Sequence, residues 1–461
     1  MRPAFSVLRR GVPRAAAVVT AALLATGCGA VEQARDWFTD AITPHERYAA
    51  SLLAAGLDGT ALSRDWLAAS RVALEAPVAI TPPHGEEGWI APERPTALAF
   101  RIPVRRGQRL FIEARLLPDT SALIFLDLFE VSSDTLSPLR PLMSADSGTS
   151  ALEFEPRRDG EVVLRVQPEL LRGGRYTLTV RAEPILAFPV HGRGLQDVGS
   201  VFGDPRDGGR RDHHGVDIFA PRGTPALAGV TAIVRRVETT DRGGNVVWLR
   251  DESRGLSLYY AHLDRQTVTQ GMRVEPGDTV GLIGNTGNAR TTPPHLHFGV
   301  YQRGPVDPYP WVYRPRGRIA ALALDTMLFG RWARSVRDGI VLRAAPDAAM
   351  DRSRGGTGDG PDPALTRHTA LLVLAGSGSS FRVRMPDGRM GWVSSASVES
   401  ADRPIAETTL TADAPLQGSP GDASTMIDRV TAGRQVEVLA RFGEYMLVRS
   451  TGRPDGWIPG Q

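Results

Sequence analysis

Apolar and polar positions alternate in short runs between residues 71 and 185: "RLFIEARL", "ALIFLDLFEV", "ALEFEP", "EVVLRVQP" and "RYTLTVRAEP". A period of two gives each run one apolar face, and Gly, Pro, Asp and Ser separate the runs. This pattern predicts an antiparallel β-sandwich over 71–185. Upstream, within 28–70, "HERYAASLLAAGLDGTALSRDWLAAS" is rich in Ala and Leu and is broken at Gly56-Leu57-Asp58-Gly59. Two short helices joined by a turn fit it, packed on the next domain. At the other end the chain repeats itself in diverged form over 335–400 and 401–461. Each copy runs from a strand through a Pro-containing loop into further strands and closes on a Gly-Trp pair, Gly391-Trp392 or Gly456-Trp457. Both tryptophans are expected in cores. The first copy carries a long loop, "DRSRGGTGDGPDPALTR".

The segment 186–315 carries the chemistry. Five of the nine histidines fall between 213 and 297. In "HLHF" (295–298), strand alternation puts His295 and His297 on one face and Leu296 and Phe298 on the other. In "LSLYYAHLD" the same rule puts His262 on the face of Tyr260. His213 precedes Asp217 by four residues, with Gly215 between them to let the chain turn sharply. Two neutral imidazoles and a carboxylate are a common ligand set for a catalytic zinc, which keeps a fourth position open. One imidazole comes from His295 or His297; His213 and Asp217 can supply the other and the carboxylate. The histidines left over suit acid–base work. Tyr260 and Asn245 are candidates for support around the cleft, and equally for plain structural roles.

Length and charge narrow the picture. A chain of 461 residues exceeds one hydrophobic core and implies roughly three to five domains. Hydrophobic residues make up 42% and charged residues 23%, as in soluble globular proteins. The net charge is +3, every one of the 54 basic residues is arginine, and no dense basic run marks a nucleic-acid partner. At the N-terminus Arg2, Arg9, Arg10 and Arg14 precede "AAAVVTAALLATGC". A basic start, a short apolar run and small residues describe an export signal over 1–27. Cys28 is the only cysteine, which excludes a disulfide framework.

The "LLATGC" ending resembles a bacterial lipobox, with Ala25 in place of the usual Leu. That resemblance implies a mature chain that starts at lipidated Cys28 and is anchored to a membrane in the cell envelope. Gly29 rather than Asp favours the periplasmic side of the outer membrane in a Gram-negative cell. Residues 189–310 resemble the lysostaphin-type zinc metallo-endopeptidases that cut peptidoglycan peptides. The matching motifs are His213-x-x-x-Asp217, "YAHL" at His262 and "HLHF" at 295–298, with "GDTVGLIGNTGN" between the last two.

The resemblance implies His213, Asp217 and His297 as ligands of one zinc ion, His262 and His295 as catalytic histidines, and peptidoglycan peptides as substrate. It places His214 at a variable position lining the cleft. Pro293-Pro294 stand where Gly-Pro is common, and Gly299 stands where Glu is frequent. The 71–185 region resembles small sandwiches found beside secreted peptidases, and the C-terminal repeats resemble SH3-like barrels that bind wall peptides. The expected fold is mainly β and multidomain: a sandwich, an antiparallel β catalytic domain (186–315) with an open groove, then two small barrels. Two other readings remain. A wall-peptide hydrolase that cuts terminal D-Ala bonds has a longer His-to-Asp spacing. A non-enzymatic relative that binds the wall or activates another hydrolase usually lacks the ligands this chain keeps.

Overall fold

The computed structural model describes residues 43–117, 121–132, 139–314, 317–346, 364–421 and 424–460. The signal, Cys28 and most of the long loop lie outside them. Within them the protein is mainly β and multidomain, as the patterning predicts. Two helices open the described chain, Pro44–Ala54 and Ala61–Glu75. Thr43 and Glu46 cap the first reciprocally, and Thr60 caps the second, satisfying backbone N–H groups that the first turn leaves open. Trp66 anchors the pair on the sandwich: it is buried, packs against Phe125 and donates its indole N–H to the Pro168 carbonyl at 2.8 Å.

The sandwich has two layers. One is a five-stranded sheet that includes Leu98–Val104, Gly160–Pro168 and Ile124–Glu130. The other contains His84–Ile90, Gly174–Pro184, Gln108–Leu117 and Ala151–Phe154. The inward residues of both, among them Phe100, Ile112, Leu128, Leu164 and Val180, form one core. The second sheet does not stop at the sandwich. His84–Ile90 pairs with Ala370–Ser377 of the first C-terminal repeat, Glu87 opposite Gly376 and Gly88 opposite Ala375. Nine strands thus run as one sheet across regions that read as separate in the sequence. The second repeat forms its own six-stranded sheet. Trp392 and Trp457 are both buried, as core residues should be.

Residues 198–306 form a ten-stranded sheet. At its centre Val216–Phe219, His295–Tyr301, Leu256–Gln266 and Gly244–Asp251 lie side by side, all antiparallel. Val216, Ile218, Leu258, Tyr260, Leu296, Phe298 and Val300 point into the core. That leaves the opposite face for the histidines. Arg254 ties the domain to the sandwich through two hydrogen bonds to Glu155, each 2.9 Å.

Candidate active site

The floor of the site is set by strand register. Asp217 lies directly opposite His297, and Ala261 lies opposite His297 on the other side. Residues facing each other in an antiparallel pair share one face of the sheet. His213 reaches the same point from the loop that follows a small hairpin, Pro205–Arg206 with Arg211–Asp212. Asp217 Oδ1 is 3.0 Å from His213 Nε2 and 2.9 Å from His297 Nδ1, and the two nitrogens are 2.9 Å apart. Among the described residues these three form the one group of His, Cys, Asp or Glu able to hold a metal ion, its donor atoms within 4.8 Å of one another.

The donor chemistry fits such an ion. His213 Nδ1 lies 2.8 Å from the Val201 carbonyl, which only accepts, so Nδ1 carries the proton and Nε2 keeps a lone pair. Two imidazole nitrogens and one carboxylate oxygen aimed at one place are a zinc ligand set. Burial alone would raise the Asp217 pKa, but the closeness of the His213 and His297 imidazoles outweighs it and holds the carboxyl well below its usual range. Burial also lowers His297 below the ordinary imidazole value.

Gly215 is needed here, for a reason other than a sharp turn. A Cβ on it would lie 2.6 Å from the Phe298 carbonyl oxygen and 2.8 Å from the His297 ring. Its missing side chain is the space in which His297 sits.

The second oxygen of Asp217 has a partner that motif spacing does not reveal. Arg206 Nη2 donates to Asp217 Oδ2 at 2.7 Å and to Ser200 Oγ at 2.5 Å. Ser200 in turn donates to Asp204 at 2.7 Å. Asp217 therefore shows one oxygen to the histidines while the other is tied back, the kind of outer contact that orients a metal ligand.

His262 and His295 stand beside this trio, their ring centroids 5.0 Å apart, with His262 6.0 Å from His297. His295 follows the alternation rule, while Leu296 and Phe298 are fully buried beneath it. His262 breaks it. Tyr260 points into the core, fully buried, its hydroxyl accepting the Gly229 N–H at 3.1 Å. His262 escapes the core face because its backbone is left-handed, φ +61, beside an irregularity in the strand pairing. A non-Gly residue in that region is uncommon and costs on the order of 1 kcal/mol or more. The surrounding loops hold it: His262 N–H donates to the Gly243 carbonyl at 2.7 Å, and its Nδ1 donates to the Thr286 carbonyl at 2.9 Å.

His295 Nδ1 likewise faces a carbonyl, that of Pro293, at 2.9 Å. Both rings therefore keep Nε2 as their basic nitrogen. Burial, then the neighbouring charges of His295 and His297, lowers His262 to about 4. Tyr260 and Asn245 are structural. Asn245 donates to the carbonyls of Leu263 and Asp264, at 3.2 and 2.9 Å.

All five predicted residues line one groove of ≈ 670 Å³, together with His214, Arg206, Arg211, Arg242, Phe219, Trp248, Tyr259 and Tyr301. Its lining comes entirely from residues 200–301, so the sandwich and the C-terminal sheets contribute no wall to it among the described residues.

Residues 211–308 match the model of peptidase family M23. The chain is 36% identical over 137 residues to an L-Ala–D-Glu endopeptidase of Bacillus subtilis, covering 27% of this chain and 42% of that protein. It is 38% identical over 94 residues to the peptidoglycan DD-endopeptidase ShyC of Vibrio cholerae, covering 20% of this chain and 21% of that one. The chain thus spans less than half the length of these relatives. Among solved structures, the catalytic domain of lysostaphin from Staphylococcus simulans is 30% identical, covers 24% of this chain and 89% of that chain, and gives a TM-score of 0.23. The groove's histidines and Asp217 all lie in a peptidase family M23 domain, carried here at residues 211–308.

Proposed function

We propose that the protein is a zinc-dependent endopeptidase that hydrolyses amide bonds in peptidoglycan peptides. One observation carries this reading: three ligand atoms converge on a groove floor, and two further imidazoles with Nδ1 tied to carbonyls stand beside them. His213, Asp217 and His297 would hold a zinc ion, which would supply Lewis acidity and bring the pKa of a coordinated water to about 7.

The chain's own groups do the rest. Arg206 and Val201 fix Asp217 and His213 in the orientation that presents their lone pairs. The carbonyls of Thr286 and Pro293 fix the tautomers of His262 and His295. Those two rings take a proton at Nε2 from the attacking water, steady the oxyanion, and return the proton to the leaving amine. The open groove admits an extended peptide.

The same proposal takes Cys28 as lipidated, the mature protein as anchored in the cell envelope, and the C-terminal repeats as SH3-like units that bind the wall. A Cys28→Ser protein should leave the membrane fraction; firm membrane association of that variant contradicts the anchor. The test of the activity is mass analysis of fragments released from purified wall by the intact protein, with and without a chelator. Chelator-sensitive release of new amino termini is the expected result. A zinc-loaded protein that binds wall and releases nothing would favour a non-enzymatic role.

A further inference from the structure

The groove has two walls of unlike charge. The hairpin of residues 205–212 leads into Val216–Phe219, on one side of the central strands, and lends Arg206, Asp207, Arg211 and Asp212 to the lining. On the far side of the two strands that carry His262, His295 and His297, the turn 241–243 joins Ala232–Thr240 to Gly244–Asp251. That turn lends Arg242 and Gly243.

Three arginines line the groove, and two of them are already paired. Arg206 is held by Asp217 and Ser200, and Arg211 by Asp207. The Arg242 guanidinium has no hydrogen-bond or ion-pair partner among the described residues.

Arg242 is exposed, yet its backbone is fixed from both sides. Its carbonyl accepts the Asn288 N–H at 3.0 Å. The next residue, Gly243, donates its N–H to Thr240 Oγ1 at 3.0 Å, and its carbonyl accepts the His262 N–H at 2.7 Å. Gly287 permits the close approach: a Cβ there would lie 2.4 Å from the Arg242 carbonyl oxygen, at a backbone φ of +70. Arg242 is therefore pinned one Cα step, about 3.8 Å, from the group that turns His262 toward the site. The His262 ring in turn lies 6.0 Å from that of His297. A free cation thus stands beside the reacting centre at a set position.

We infer that Arg242 is a specificity-determining residue that binds a free carboxylate of the substrate peptide, close to the bond that is cut. The inference rests on the endopeptidase reading above. A guanidinium is a planar fork of N–H donors with no acceptor. It matches the two oxygens of a carboxylate, repels an amine, and gains less from a neutral carboxamide. The opposite wall favours the same orientation, since its exposed acids, Asp207 and Asp212, turn a carboxylate away from the hairpin and toward Arg242. Wall stem peptides carry such carboxylates on their acidic residues.

Two synthetic wall peptides test the assignment. They are identical except that one acidic residue carries a free carboxylate in the first and a carboxamide in the second, so shape is kept and charge is not. With the intact zinc-loaded protein, kcat/KM for the acid should exceed that for the amide about tenfold at low salt, the scale of a charged hydrogen bond. The preference should shrink as salt rises, because Arg242 is exposed. In Arg242→Gln the ratio should fall to about one. Arg236→Gln removes the same charge from the strand leading into the turn, outside the groove, and should leave the ratio as it was. Circular dichroism checks that both variants fold. A ratio near one in wild type, a preference that survives Arg242→Gln, or an equal loss in Arg236→Gln overturns the assignment.

The second readout is calorimetric titration of the same peptides with chelator present, which removes hydrolysis and any metal ion that could take the carboxylate itself. The acid should bind wild type about tenfold more tightly than Arg242→Gln, and the amide should bind both alike. Equal binding of the acid by the two proteins overturns the subsite. Hydrolysis of neither peptide by wild type, with the Arg242-dependent difference in binding intact, sinks the endopeptidase reading and leaves the carboxylate subsite standing.

Discussion

Two of the places where the protein buries charge are built for opposite ends. In the groove, Asp217 gathers His213 and His297 so that three lone-pair atoms face one point. Between the sandwich and the first C-terminal repeat, Glu86 meets Arg382 at 2.9 Å and accepts the Tyr176 hydroxyl, which also accepts from Arg382 at 2.8 Å. There each charge is spent on its neighbour. Arg382 also lies over the Phe100 ring, 5.7 Å from its centroid, and Glu86 is 2% exposed. The first cluster keeps its donors available to a cation and opens to solvent; the second is closed. A buried carboxylate alone therefore signals neither catalysis nor stability. What decides is whether its partners compensate it or share its need for a positive ion.

The contrast can be broken from either side. The largest effect is expected in the groove. Replacing His262 or His295 with Ala should lower turnover about 100- to 10,000-fold, the usual worth of general acid–base help, with the melting temperature little changed. Wall digestion assays with folded variants check this, and near-normal turnover in both would remove the pair from the mechanism.

In the closed cluster, Arg382→Met leaves Glu86 charged and unpaired, and should destabilise by about 3–5 kcal/mol. Adding Glu86→Leu should restore much of that loss, since an apolar pair of similar volume is often neutral there. Urea unfolding of the single and double variants measures both. An equal loss in the double variant would mean that packing, rather than charge, joins the two regions.

Acid should act on the same cluster. Burial raises the Glu86 pKa, but the Arg382 charge, the nearby His84 ring and the hydrogen bond from Tyr176 outweigh it and leave Glu86 at about 2, below the ordinary 4.5. The folded value is depressed, so its contribution is complete above about pH 4.5 and fades as pH falls toward 2, on the order of 3 kcal/mol in all. A Glu86→Gln chain should show a flatter stability profile across that window; an unchanged profile contradicts the assignment.

The smallest of these effects concerns Arg206. Freeing Asp217 Oδ2 by Arg206→Gln should weaken zinc binding about 10- to 100-fold, measured by chelator competition, while KM for a short peptide moves little. A raised KM at unchanged zinc affinity would make Arg206 a substrate contact.

Much of the groove was legible because its motifs are local. Alternation correctly sends Leu296 and Phe298 into the core and leaves His295 and His297 together above it. The same rule fails one strand away, where the left-handed backbone at His262 turns that ring out of the face it shares with Tyr260. No periodicity encodes such a reversal; it is imposed by the contacts from Gly243 and Thr286. Arg206 escaped notice because a hairpin, not a repeat spacing, carries it to Asp217. Glu86 and Arg382 are 296 residues apart, and nothing in either stretch announces the other. The sheet they join also alters the domain picture: the first repeat is hydrogen-bonded into the sandwich, so it is not a module that can be removed at no cost to its neighbour.

The central claim is that the site divides into residues that hold metal and residues that do chemistry. The most direct test is the zinc content of folded His295→Ala and His297→Ala, measured side by side in the intact protein. The account predicts one zinc per chain in His295→Ala and a loss of zinc in His297→Ala. Zinc that leaves with His295 and stays without His297 would contradict it.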